Sequence, residues 1–212
     1  MTNAKYGKLT AGLIAAWFFF SLTASALHAF RTDPSSPPLP LGLAVLIPIA
    51  LFLLWFARSQ QFRQFTLMLN ARILTIVQAW RIAGFVFLAL YTYRILPGTI
   101  ALPAGWGDII IGATAPLVAM KLVNSDYRKG FILWQLLGIA DLVTAVSLGT
   151  TATLINPHGI PTSAMTELPL SLIPTFAVPL FLILHLICIA QARQWKQQQY
   201  LGFGAHLPSS VA

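Results

Sequence analysis

"LGLAVLIPIALFLLWFA" (residues 41–57) holds no charged side chain and is followed at once by Arg58. A helix on the surface of a soluble domain shows an apolar stripe and a polar face. This run is apolar all round, which suits a helix surrounded by lipid. About 20 such residues cross a bilayer, and five more stretches of the same character recur along the chain. The expected spans are 10–30, 41–57, 73–94, 103–120, 130–152 and 168–190. The reading is an all-α polytopic membrane protein of six transmembrane helices in a single integral domain, with a short polar tail at 191–212.

Composition agrees. The chain of 212 residues is 57% hydrophobic and 8% charged, with a mean hydropathy of +0.76; soluble domains carry about 25% charged residues. The net charge of +8 could point to nucleic acid, but its distribution does not. Ten of the cations, from Lys5 and Lys8 to Arg193 and Lys196, fall in alternate gaps between the runs, against Arg31 and Arg94 on the other side. Cytoplasmic loops collect Lys and Arg in this way. Both termini are therefore expected in the cytoplasm, the bilayer is the expected partner, and no nucleic acid is. The localisation that follows is a plasma membrane, or the inner membrane of a bacterium.

The first run has a rival reading. "MTNAKYGKLT", then "AGLIAAWFFFSL", then "TASA" resembles a secretory leader with a small-residue cleavage site. Against cleavage, the apolar run continues through Leu27 to Phe30, long enough to span. Elsewhere prolines mark breaks. Pro48 in the second span and Pro174 and Pro179 in the sixth remove backbone donors and are expected to kink or unwind their helices. Trp195 and Tyr200 in the tail are expected at the membrane interface.

Polar groups within the spans are few: Gln78, Arg81, Asp108, Gln135, Asp141 and His185. An ionised side chain at mid-bilayer costs about 2.5–3.5 kcal/mol on insertion scales, so such groups face neighbours or water. At 1.5 Å per residue, Arg81 lies about 13 Å from the cytoplasmic end of its span and Asp141 about 17 Å from the same side. The gap is within reach of an arginine, which predicts an Arg81–Asp141 ion pair. Asp108, in "LPAGWGDIIIGATAP", falls about 5–8 Å below the outer end of a span that begins at 103. Its expected partner is Arg94, with Arg81 second.

Helical spacing places these groups on small-residue faces. Gly105, Asp108, Gly112, Ala115 and Ala119 share one; Gly130, Trp134, Gly138, Asp141, Ala145 and Gly149 share another; Gln78, Arg81 and Gly84 share a third. Small residues let helix backbones approach closely in lipid. Two roles stay open for the charges. They fix which helices pack together, or they form a substrate or ion pathway.

No cofactor or metal site is expected. His28 and His185 are about 20 Å apart in depth, too far to share a haem iron, and a lone His185 reads as a hydrogen-bonded packing residue. Hydrolase, zinc-protease and phosphate-loop signatures are absent, and no lysine lies in a span. The leading functional expectation is a small transporter or permease for a small solute or proton. Its polar centre would be Gln78, Arg81, Gln135 and Asp141, with Asp108 and Arg94 near the outer mouth. The alternatives are a non-catalytic accessory or assembly subunit with structural ion pairs and, more weakly, a membrane-embedded enzyme.

Overall fold

The computed structural model describes residues 3–32, 39–155 and 158–204. Among them there is no strand. Helix α1 is Asn3–Ala26, α2 Leu39–Arg58, α3 Gln60–Leu67, α4 Ala71–Val77, α5 Phe85–Thr92, α6 Gly98–Lys121, α7 Arg128–Ile155 and α8 Val178–Gly204. A 3-10 helix, Gln78–Gly84, joins α4 to α5, and a π turn, Ile173–Ala177, leads into α8. Six stretches are long and apolar enough to cross a membrane: Ala4–Ala26, Leu39–Arg58, Ala71–Thr92, Gly98–Lys121, Arg128–Ala152 and Ile173–Trp195.

The helices run up and down between two ends. At the near end, where α1 begins, Asn70 caps α4 by accepting from the Arg72 and Ile73 amides at 2.9 and 3.4 Å. Ser59 caps α3 through the Phe62 amide at 3.2 Å. The amphipathic α3 lies outside the six expected spans; its Phe62 and Phe65 pack beneath Tyr6, Phe52 and Ile187. Gln191 of α8 donates from Nε2 to the carbonyls of Thr66, Leu67 and Leu69 at 3.1, 3.4 and 2.8 Å. Arg128 donates to the Ala192 carbonyl at 2.7 Å. At the far end Phe87, Leu96, Ala101, Ala104 and Met165 form a separate apolar cluster.

Several boundaries depart from expectation. The sixth long element does not stop at 190, because Gln, Lys and Arg are good helix formers and α8 continues through them to Gly204. Residues 205–212 of the expected tail, and the side chain of Tyr200, lie outside the described residues. The fourth starts at Gly98, five residues before 103: Pro97 sits at the N-cap with ψ 144°, and Pro103 is accommodated inside the helix. Pro48 likewise lies within a continuous α2. Gly130, expected on a packed face, is exposed.

The break before α8 is where the prolines predict it. Pro179 has no N–H for the carbonyl of Thr175, four residues earlier. Trp17 Nε1 and Ser21 Oγ of α1 donate to that carbonyl at 3.1 and 3.3 Å instead.

Candidate functional site

The third long element decides the site. Thr75, Gln78, Arg81, Gly84 and Phe87 are all buried, a spacing of three. On an α-helix residues three apart drift around the axis, whereas at three residues per turn they stay on one face. The seven-residue 3-10 stretch keeps that line pointed inward, and such a stretch is long for this helix type. It lies backbone to backbone on α6. A Cβ at Gly112 would overlap the Ile82 amide nitrogen and press on the Arg81 carbonyl carbon, and one at Gly84 would overlap the Asp108 side chain. Only glycine permits this approach.

Arg81 then reaches into the centre of the bundle with 3% of the residue exposed. Its Nε donates to Asp108 Oδ1 at 2.7 Å, and Nη2 donates to Asp141 Oδ2. Nη1 donates to the Gly138 carbonyl at 3.3 Å and to His185 Nε2 at 3.2 Å. A guanidinium only donates. His185 Nε2 therefore accepts, the imidazole is neutral with its proton on Nδ1, and Nδ1 donates to Gln135 Oε1. Gln78 donates from Nε2 to the Phe181 carbonyl at 3.3 Å. Gln78 Oε1 and Gln135 Nε2 are buried without a partner among the described residues.

Four of the six residues singled out in the sequence are thus linked, Arg81, Asp108 and Asp141 directly and Gln135 through His185. Gln78 is buried on the Arg81 face and bonds the Phe181 carbonyl instead. Arg94 stands apart. It is exposed at a left-handed turn with φ 56° and forms no ion pair among the described residues, so Asp108 belongs to Arg81. The cause is the earlier start of α6, which sets Asp108 about 15 Å from its N-terminus, at the level of the 3-10 segment. His185 is a packing residue, as its isolation in the sequence implies, and also a ligand of the guanidinium. The contact with Arg81 places His185 level with the 3-10 segment.

The charges do not cancel. One guanidinium faces two carboxylates, and with both ionised the cluster carries one negative charge in excess. The Asp108 and Asp141 side chains are 16% and 15% exposed, against 1% for Arg81. The carboxylates form the open side of the cluster and the arginine its back. Asp108 is the deepest α6 residue lining a cavity whose lining extends to Thr162 and Ser163 of the far-end connection. The cavity encloses about 80 Å³, and its walls are mostly apolar.

Beside that mouth, Glu167 takes hydrogen bonds from Arg31 Nε and from His28 Nδ1, the latter at 3.0 Å. The Arg31 hydrogen bond is the main reason the Glu167 carboxyl titrates below its ordinary value.

Fold and site together define an all-helical protein of six long apolar helices closed around a buried arginine with two carboxylates. Residues 36–193 match a family model described as Domain of unknown function (DUF8737). The chain belongs to that family, and the matched segment contains the whole polar centre. No curated protein and no solved structure matches the chain.

Proposed function

We propose that this chain is a multi-pass membrane protein of the plasma membrane, the inner membrane if its source is bacterial. Both termini are cytoplasmic, and it works as a small transporter or permease. The observation that carries the transport reading is the continuity of cavity and charge: a far-end opening leads down apolar walls to a carboxylate in a cluster with unbalanced charge. Insertion is supported by the outward faces. Phe20, Leu51, Trp80, Ile110 and Leu137 are each at least half exposed, a large apolar surface that lipid covers readily. The cations gathered at the near end support a cytoplasmic placement of that end. Asp141 and Asp108 would take up a proton or counter-charge, Arg81 would hold them in place, and the π turn before α8 would flex as access changes.

The test is flux together with access. Protein reconstituted in proteoliposomes should move protons or a co-transported solute, and Asp141→Asn should abolish the movement while folded yield holds. Cys188 is buried, so cysteines placed at Ala104 and Ala145 can be read with a membrane-impermeant maleimide. Labelling from the far side supports the reading; a dry cavity removes it.

One observation favours an accessory role instead. All three guanidinium nitrogens already have acceptors, which is how an ion pair that only sets helix register would look. In that case Asp141→Asn and Arg81→Leu lower folded yield alike, the exchange Arg81→Asp with Asp141→Arg restores it, and no flux is ever seen.

A further inference from the structure

The far-end cavity also says which chemistry it would receive. Val45 of α2, Phe87 of α5, Ala104 of α6, Ala145 of α7 and Val178 of α8 supply its wall, with Asp108 at the floor. Asp108 Oδ1 is engaged by Arg81, whereas Oδ2 takes no hydrogen bond from any described residue. Asp108 lines the cavity and Arg81 and Asp141 do not, so an entering group meets a carboxylate and not the cation. The hydroxyl-bearing lining residues, Thr32, Thr150, Thr162, Ser163 and Thr166, all lie toward the far end, away from Asp108. An anion would be repelled at the floor, and a strongly polar solute would lose its water against apolar walls without replacement. A molecule with an apolar body and a single protonated nitrogen at one end meets both demands. Its body covers the walls, and its N–H completes the open carboxylate oxygen in a charge-assisted hydrogen bond.

We propose that this cavity is a binding site for lipophilic amines, held head-down with the ammonium on Asp108. This deepens the transport reading by naming a substrate class, but the site stands or falls by binding alone. The single positive head offsets the one excess negative charge of the Arg81–Asp108–Asp141 cluster, so occupancy neutralises the centre.

The experiment is calorimetric titration of the full-length protein in lipid nanodiscs, with empty nanodiscs subtracted. Three probes share one phenylbutyl body: the N,N-dimethylamine, the alcohol and the carboxylate. Saturable amine binding is expected, at least ten-fold tighter than the alcohol, with none for the carboxylate. Asp108→Asn should weaken the amine at least ten-fold and bring it level with the alcohol. Ala145→Phe fills the cavity without touching the charges and should abolish binding of both; it keeps the proposal testable where Asp108→Asn lowers folded yield. Equal affinity for amine and alcohol would show an apolar cleft suited to a lipid chain and would overturn the proposal. So would amine binding that survives Ala145→Phe. Amine binding without flux in proteoliposomes leaves this site standing and removes the transporter, whereas proton flux without amine binding does the reverse.

Discussion

Two charge clusters of mirror-image composition sit in this molecule. At the centre, one cation serves two carboxylates; beside the far-end mouth, two basic side chains serve one carboxylate. Arg81 is 1% exposed at its side chain, whereas Arg31, His28 and Glu167 are 57, 50 and 36% exposed. Exposed pairs gain little because water and salt screen them and the side chains lose freedom. A buried group that loses its partner keeps its full desolvation cost. The central cluster joins four long elements, and the outer one joins the 158–172 connection to the segment after α1.

The comparison breaks first, and most visibly, at Arg81. Arg81→Leu leaves two carboxylates without a counter-charge and should cost about 3–5 kcal/mol, read as thermal unfolding in detergent. Arg81→Lys should recover only part of this, because an ammonium cannot span both acids with a planar fork. Loss of less than ~1 kcal/mol in the leucine variant, the range of an exposed pair, would erase the distinction between the clusters. Next comes the approach that delivers Arg81. Gly112→Ala drives a methyl into the Ile82 backbone and should cost about 1–3 kcal/mol. Gly12→Ala is the control, with nothing within 4 Å of its added carbon, and it should be neutral or slightly stabilising.

His185→Leu should cost a similar amount. It removes an acceptor from Arg81 and the donor to Gln135, at about 1–3 kcal/mol, and adding Gln135→Leu should return part of the loss by removing the orphaned amide. Smallest is Glu167→Gln, which should leave the unfolding temperature unchanged and show only as faster proteolysis within 158–172. Its pH signature has a fixed sign. Because Arg31 depresses the native Glu167 value, the tie is complete above the ordinary glutamate range, about pH 4.3, and is lost as pH falls through the lower native value. Protection of the connection that instead strengthens as the pH falls from 5 to 3 would contradict it.

Length and hydropathy make the six long elements legible, and counting depth along the spans is enough to pair Arg81 with Asp141. The same counting misplaces Asp108 because it starts α6 at 103. Proline reads as loop chemistry, but Pro103 lies in the second turn of α6, where its missing N–H leaves only the Thr99 carbonyl without its helical partner and the helix continues. The end of α8 is misplaced for a different reason: falling hydropathy marks where lipid would end, not where the backbone stops being helical. The period of three through Gln78, Arg81 and Gly84 is visible as a shared face. Its continuation to Thr75 and Phe87 is the subtler sign of the 3-10 segment.

The carbonyl of Thr175 is held by Trp17 and Ser21, and both lie before residue 36, where the family segment begins. The break ahead of α8 is thus held by a helix that supplies none of the residues of the charged centre. In mechanical terms α1 is a brace and the π turn a spring, so stiffness and electrostatics can be altered separately.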